Sequence, residues 1–464
     1  MTKKKVTPED SEMSGKWIRL DRPMPLPTYV KDVLQKLYEE GYVAYVVGGS
    51  VRDFLLGRES KDHDIATDAL PEDLCKLFPL ALMVGKEFGV IKVPTGTQPP
   101  LIEIATFRKD LDYEDHRHPT GVVFSSPLED AMRRDFTINA LFYDPKSNRI
   151  YDPTGGMDDL KIKKVRAIGD PSTRFREDAL RLLRAIRFQT QLGFDLDADT
   201  AKAIQARARL ISKVSAERIR DELSLMWRGP RPAEALSLLS QLGLLQWVLP
   251  EVQALQGLPH IPSYSDQENL FKHVLKTLEF LVIQNRTRSF TLAWAVILHE
   301  VGKPIVAHLN REKNYNGHEL ESIKVAEKIA DRLRFSRAET DQILKLIADH
   351  MKFKDVFQMR ESTLQRWIRE EYFDELLAFH HADAVASDGN LAFYEFCKSR
   401  WETYKSSPPI PFQKILDGKD LIQLGFQPGP LFSEILRVVE DLALEKKLST
   451  KDEALEFVIK NYVK

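Results

Sequence analysis

The sequence predicts an α+β fold, in which a mixed α/β head is followed by an all-helical neck, body and tail. Up to about Asp158, short apolar runs of strand length alternate with amphipathic helical stretches; beyond it the pattern is almost wholly helical. With 464 residues, 43% hydrophobic and 29% charged, the chain has the balance of a globular protein and length for several domains. In order, strands are expected near Val43 to Val47, His63 to Thr67, Gly89 to Val93 and Leu101 to Thr106. Helices are expected near Tyr29 to Glu40, Val51 to Leu56 and Pro71 to Phe78. The expected parts are a polar, proline-punctuated, loosely ordered lead-in (1–25), the head (26–157), the neck (158–228), the body (229–405) and the tail (406–464). Pro408-Pro409-Ile410-Pro411 marks the break before the tail.

Composition narrows the function. No apolar run approaches a membrane span, and the lysines after Met1 have no apolar segment behind them, so the expected location is the cytoplasm and no membrane partner is expected. Cys75 and Cys397, far apart, make neither a disulfide framework nor a zinc knuckle. A net charge of -2 argues against a basic coat for nucleic acid, yet leaves room for a local stripe of arginines on RNA.

The chemistry starts at Asp62 and Asp64. On an extended strand, residues i and i+2 share a face, so both carboxylates can grip the same divalent ions while His63 points away. Hard oxygens in a pair suit Mg2+, and two ions would serve phosphoryl transfer. Upstream, the buried-strand run Val43-Ala44-Tyr45-Val46-Val47 ends in Gly48-Gly49-Ser50-Val51-Arg52-Asp53. Strand, glycine turn and helix make a place for a phosphate, with Gly49 allowing close approach and Arg52 adding a charged fork. Glu103, in the alternating run Leu101 to Thr106, is a candidate third carboxylate.

A second constellation could select a base. Arg174 to Phe188 reads as one helix, with Asp178, Arg181, Arg184 and Arg187 three apart and Leu182, Leu183 and Ile186 on the apolar face. A carboxylate only accepts hydrogen bonds and a guanidinium only donates, so Asp178 beside Arg181 can address an amino group next to a bare ring nitrogen. Cytosine and adenine present that edge; uracil and guanine would leave both groups mismatched. Arg184 and Arg187 could then hold the triphosphate or the RNA backbone.

These stretches resemble the class II tRNA nucleotidyltransferases (CCA-adding enzymes) and their bacterial poly(A) polymerase relatives, from about Tyr42 to Trp227. The resemblance rests on the Gly48 to Asp53 turn, Asp62-His63-Asp64, Arg133-Arg134-Asp135-Phe136-Thr137-Ile138-Asn139-Ala140, Asp152-Pro153-Thr154-Gly155-Gly156 and Glu177-Asp178-Ala179-Leu180-Arg181. It implies a polymerase beta-like nucleotidyltransferase head that adds CCA to tRNA with CTP, ATP and Mg2+, binding tRNA by its 3′ acceptor end and elbow. By that similarity Asp62 and Asp64 bind Mg2+, and Gly49, Arg52 and Arg134 contact the nucleotide. Asp178 and Arg181 read the base, Arg184 and Arg187 complete the pocket, and Asp135 and Asn139 are ribose or positioning contacts. Without the resemblance, Arg133-Arg134-Asp135 is a surface charge cluster. The polar stretch Lys109 to Gly121 matches a flexible element implied in switching from C to A addition. Gly85-Lys86-Glu87-Phe88 carries an acid where the poly(A) relatives have a second basic residue, which favours CCA addition over a poly(A) polymerase or a partial, CC-only or A-only, enzyme.

In the second half, His273, His299-Glu300 and Asp383, with His318 and His350, resemble the ligands of HD-domain phosphohydrolases. Glu300 stands where that family has Asp, which lengthens the arm by a bond, so these side chains are read as packed helix residues in a degenerate HD-like domain. A metal phosphohydrolase acting on RNA ends is the rival of another class.

Overall fold

The computed structural model describes residues 15–463 apart from 61, 84–88, 95–100, 112–120, 260–268, 284–288, 310–313, 407–414 and 446. Gly85 to Phe88, most of Lys109 to Gly121, and Pro408 to Pro411 therefore lie outside the described residues. The chain divides into two units, Met1–Pro250 and Glu251–Lys464.

In the first unit, the uninterrupted apolar run becomes strand β2 (Ala44–Val47), with all four residues buried. It follows strand β1 (Lys16–Arg19) and helix α1 (Thr28–Glu39), and Gly48 turns it into helix α2 (Gly49–Leu55). Next come β3 (Asp64–Thr67), α3 (Pro71–Leu77), β4 (Leu82–Met83), β5 (Val90–Val93) and β6 (Ile102–Thr106). The ribbon β7 (Arg108–Asp110) and β8 (Val122–Phe124), helix α4 (Pro127–Met132), β9 (Phe142–Asp144) and β10 (Arg149–Asp152) complete the head. Apart from the β7-β8 ribbon, these strands form one sheet in the order β1-β10-β9-β2-β3-β6-β5-β4; β3 and β6 run parallel and the other neighbours antiparallel. β2 and β3 therefore lie inside the sheet, as an apolar run buried on both faces requires.

Two features depart from the sequence reading. Lys16–Arg19, assigned to a loosely ordered lead-in, pairs as an edge strand with β10, and Trp17 packs its ring 5.1 Å from Tyr151 and 6.0 Å from Tyr45. Its pairing partner lies more than a hundred residues away, so no local pattern announces it. The second departure is the helix expected over 174–188. Helix α5 (Gly156–Lys161) is followed by α6 (Pro171–Glu177), and the next helix, α7 (Arg181–Leu192), begins only after a break. At the break Asp178 is extended (φ -135°, ψ 104°), and its Oδ1 accepts the Leu180 N-H at 3.1 Å. A short carboxylate bonding its own backbone competes with the helical ladder and turns the chain there.

The Asp152 to Gly156 motif has a structural account. The buried Asp152 carboxylate accepts the N-H groups of Gly155, Gly156 and Met157, each at 2.9 Å, and so caps α5. Gly155 takes φ +81°, and a β-carbon on Gly156 would lie 2.2 Å from the Thr137 carbonyl oxygen. Past α7, helices α8 (Ala198–Arg207), α9 (Ala216–Trp227) and α10 (Pro232–Gln241) pack a helical layer, with Trp227 fully buried.

The second unit is helical throughout its described residues. Phe290–Leu309 passes for a membrane span by length and composition alone, yet most of it is buried within the unit. It breaks at His299 to Gly302 into helices Phe290–Leu298 and Lys303–Leu309, and Leu292 to Leu298 are buried within the unit. Residues near the end form a small core of their own around Leu421, Ile435, Val439, Ala454 and Val458.

Candidate active site

The strand period places the acids as expected. Asp62 and Asp64 are exposed while His63 between them is buried, and Asp64 opens β3 at the edge of a cleft of about 730 Å3. Gly48, at φ +77°, lets the chain turn where a side chain would approach Arg134 Nη1 (3.4 Å) and Asp64 Oδ2 (3.8 Å). Gly49, Arg52, Asp62, Asp64 and Arg134 from the head line this cleft, together with Asp178, Arg181, Arg184 and Arg187 from the neck and with Asp135 and Asn139. Residues spread over 139 positions of sequence thus face one space. Glu103 lines a neighbouring cleft with Asp62 and Asp64, and its carboxylate takes Lys92 Nζ at 2.7 Å.

Electrostatics divide the site. Although Asp64 is exposed as a residue, the protein packed around its carboxyl strips hydration from it and pushes it up to about 6, with the Glu103 carboxylate the second cause and Arg134 working the other way. A carboxyl that resists ionisation, as Asp64 does, is what a divalent cation relieves, and the hard oxygens of Asp62 and Asp64 fit Mg2+. The opposite wall is cationic. Arg52, Arg184 and Arg187 hold their guanidiniums 5.2, 5.2 and 4.4 Å from the centre of the Phe188 ring.

Each of these cations is tethered. Arg52 donates to Asn139 Oδ1 (2.7 Å) and Asp53 (2.9 Å). Arg184 donates through Nε and Nη2 to one oxygen of Asp135 at 2.9 and 2.6 Å, and Arg187 to Glu222 at 2.6 Å. Arg133 and Arg134 are not a surface cluster, because both clasp Asp130, which is 1% exposed. Burial alone would raise Asp130, but the two guanidiniums hold it below its ordinary value. Asp135 and Asn139 act as positioning groups: Asp135 Oδ1 takes the Asn139 amide at 3.1 Å while Oδ2 holds Arg184.

The base-reading pair sits at the corner between α6 and α7. Arg181 is anchored through Nη1 to Glu177 (2.9 Å) and the Arg174 carbonyl (3.2 Å), and through Nη2 to the Arg133 carbonyl (2.8 Å). Among the described residues its Nε-H makes no hydrogen bond, which leaves the Nε and Nη2 edge able to donate. Asp178 Oδ2 accepts from Arg218 Nη2 at 2.9 Å. Asp130, Phe188, Arg218 and Glu222 are the site residues that sequence reasoning missed. The spacing of Arg218 and Glu222 on α9, one helical turn apart, was the available signal.

In the second unit, His273, His299 and Asp383 bring their ligand atoms within 4.8 Å of one another. Asp383 Oδ1 lies 2.9 Å from His273 Nε2 and 3.5 Å from His299 Nε2; Glu300 Oε1 lies 3.2 Å from His299 Nε2, and its Oε2 pairs with Lys303 at 2.5 Å. His299, His318 and His350 each set Nδ1 against the backbone carbonyl three residues earlier, at 2.7, 3.0 and 2.6 Å. That bond puts the proton on Nδ1 and turns the Nε2 lone pair inward.

Acids on a strand edge facing an arginine-lined wall, on this sheet and with helices beyond, define a nucleotidyltransferase head with a helical extension. Residues 44–166 match the family described as Poly A polymerase head domain, 193–255 that described as Probable RNA and SrmB- binding site of polymerase A, and 270–388 the HD domain. A CCA-adding enzyme of Geobacillus thermodenitrificans is 48% identical over 46% of this chain, a match that spans about half (52%) of that relative's own length. A CCA-adding enzyme of Lactobacillus helveticus is 32% identical over 95% of this chain and 98% of its own. The crystal structure of the Bacillus stearothermophilus CCA-adding enzyme in complex with CTP superposes with a TM-score of 0.65 at 26% identity, covering 94% of this chain and 98% of that one. The chain belongs to the CCA-adding enzyme family.

The Asp135 to Arg184 pair yields a pH prediction. Burial would raise Asp135, but Arg184 and Asn139 bring it down to about 2 from an ordinary 3.8. Its stabilisation is therefore complete above about pH 4 and lost as pH falls through 2. Asp135→Asn is expected to cost about 2 kcal/mol at pH 7, a deficit that shrinks below pH 4 in thermal melts taken across pH. A deficit that stays constant down to pH 2 would rule out the pair as its source.

Proposed function

We propose that this protein adds C, C and A to the 3′ ends of tRNA, taking CTP and ATP and releasing pyrophosphate. The observation that carries the reading is the single cleft in which Asp62 and Asp64 face Asp178, Arg181 and the tethered arginines. Family membership supports it. The working parts are a lead-in (1–25), a head (26–157), a neck (158–228), and a body (229–405) and tail (406–464) that together bind the tRNA acceptor end and elbow, in the cytoplasm.

Asp62 and Asp64 would hold Mg2+, two ions in this reading, which would neutralise the triphosphate and lower the pKa of the attacking hydroxyl. Arg52, Arg134, Arg184 and Arg187 grip the phosphates, and their carboxylate tethers set the geometry before the nucleotide arrives. Asp178 accepts from the amino group of cytosine or adenine, and Arg181 donates to the neighbouring ring nitrogen. With the nucleotide so placed, the terminal hydroxyl of the tRNA bonds to the α-phosphorus, the bond to the β-phosphate oxygen breaks and pyrophosphate departs.

The second unit supports a further reading, a single transition-metal ion on His273, His299 and Asp383. Two imidazoles and a carboxylate form a donor set such an ion accepts. The His299 Nε2 lone pair faces two carboxylates, so a cation must lie between them: either a second proton on the ring or a metal ion. Glu300, neutralised by Lys303, stands aside as an outer group.

Asp62→Ala is expected to abolish nucleotide incorporation and leave tRNA binding largely intact, measured with tRNA lacking its last three nucleotides; retained turnover would sink the assignment. Sequencing the extended ends separates CCA from CC, from A alone and from an A tract. Replacing Asp178 or Arg181 by Ala should raise UTP and GTP misincorporation by about a hundredfold. Unchanged rejection in both variants would remove the base-reading role. For the second unit, the purified protein should retain about one transition-metal ion per chain by elemental analysis, and Asp383→Ala should lose it; equal metal content in the two would leave the histidines as packing.

A further inference from the structure

We propose that a second cleft, which shares only Asp62 and Asp64 with the arginine-lined one, receives the 3′-terminal nucleotide of the acceptor RNA, with Lys92 holding its phosphate and Tyr29 packing against its base. The inference rests on the nucleotidyl-transfer reading and names the acceptor side of that site. Nucleotidyl transfer needs two substrates to meet at the metal-binding acids. The structure offers two spaces there, of about 730 and 630 Å3, with unlike linings. The first is walled by arginines, as a triphosphate requires. The second is lined by Tyr29, His63, Lys92, Leu101, Ile102 and Glu103, which offer one cation, one aromatic ring and two aliphatic side chains. That lining fits one phosphodiester and one nucleoside.

Lys92 and Glu103 are cross-strand partners on β5 and β6, and their ion pair at 2.7 Å fixes the ammonium beside the acids. Both side chains are partly open to solvent, so the ammonium can exchange Glu103 for a phosphate at little cost. Among the described residues, the lining contains no guanidinium and carboxylate pair of the kind that reads a base edge. Stacking is indifferent to base identity, which suits an end that changes with each addition. Three carboxylates against one ammonium also make the RNA end depend on divalent cations for entry.

The test uses the full chain, a tRNA minihelix lacking all three terminal nucleotides, and separate determination of KM for RNA and for CTP. Lys92→Ala and Tyr29→Ala are expected to raise the RNA KM about tenfold while the CTP KM stays within about twofold, and Tyr29→Phe should keep the wild-type RNA KM. An unchanged RNA KM in both alanine variants, in an enzyme that still extends RNA, overturns the proposal alone. A CTP KM that rises as far as the RNA KM assigns the cleft to the nucleotide and also overturns it. Wild-type protein that extends no RNA with CTP or ATP overturns the nucleotidyl-transfer reading and this proposal together.

Discussion

The site depends on one constraint, that a guanidinium turned into a half-buried cleft must have a carboxylate behind it. Asp135 behind Arg184 is the clearest case, because it joins a head residue to a neck helix with a charged, two-donor contact. Asp130 does the same for Arg133 and Arg134, and Glu222 for Arg187. Removing one partner from such a pair leaves a half-buried charge uncompensated, at a cost of about 2 kcal/mol. The pairs therefore fix the orientation of α7 on the head, and with it the distance from base reader to acids. They also allow several like charges to surround the Phe188 ring without flying apart.

The same cleft is polarised before any substrate enters. One wall carries tethered cations, and the other carries acids, where burial first and then the Glu103 carboxylate lift Asp64 to about 6. A triphosphate and its metal ions together complement both walls, whereas either alone meets repulsion from one of them. Dipoles and charges placed in advance need no rearrangement when charge develops at the α-phosphorus, the condition under which electrostatic stabilisation is largest.

The second unit applies related logic with different atoms. Three histidines bond Nδ1 to a carbonyl on their own segment, a local arrangement that decides the tautomer before any tertiary contact forms. Packing then gathers the inward nitrogens. His299 is held up at about 9, because Glu300 and Asp383 outweigh the burial that would lower it, whereas burial and the neighbouring His299 take His350 down to about 3. Two imidazoles whose rings lie 5.4 Å apart thus end with opposite preferences for a proton, according to which of them faces the acids.

Sequence alone determined what local physics decides. The period of two put Asp62 and Asp64 on one face with His63 opposite; the apolar run at 43–47 was legible as an interior strand, and the expected helices and strands of the head fall within two residues of those found. The carboxylate and guanidinium chemistry of Asp178 and Arg181 was legible too. Tertiary structure decided the rest, because the partners lie far apart in the chain. The break at Asp178 escaped periodicity because the residues on both sides are good helix formers, and the turn is made by one side chain bonding Leu180 and by Arg218 forty residues on. Within the lead-in, Lys16–Arg19 became strand β1 only through its pairing with β10. Asp130 carries no signal of its own until folding buries it against arginines, since a charge needs a specific partner only once water is removed.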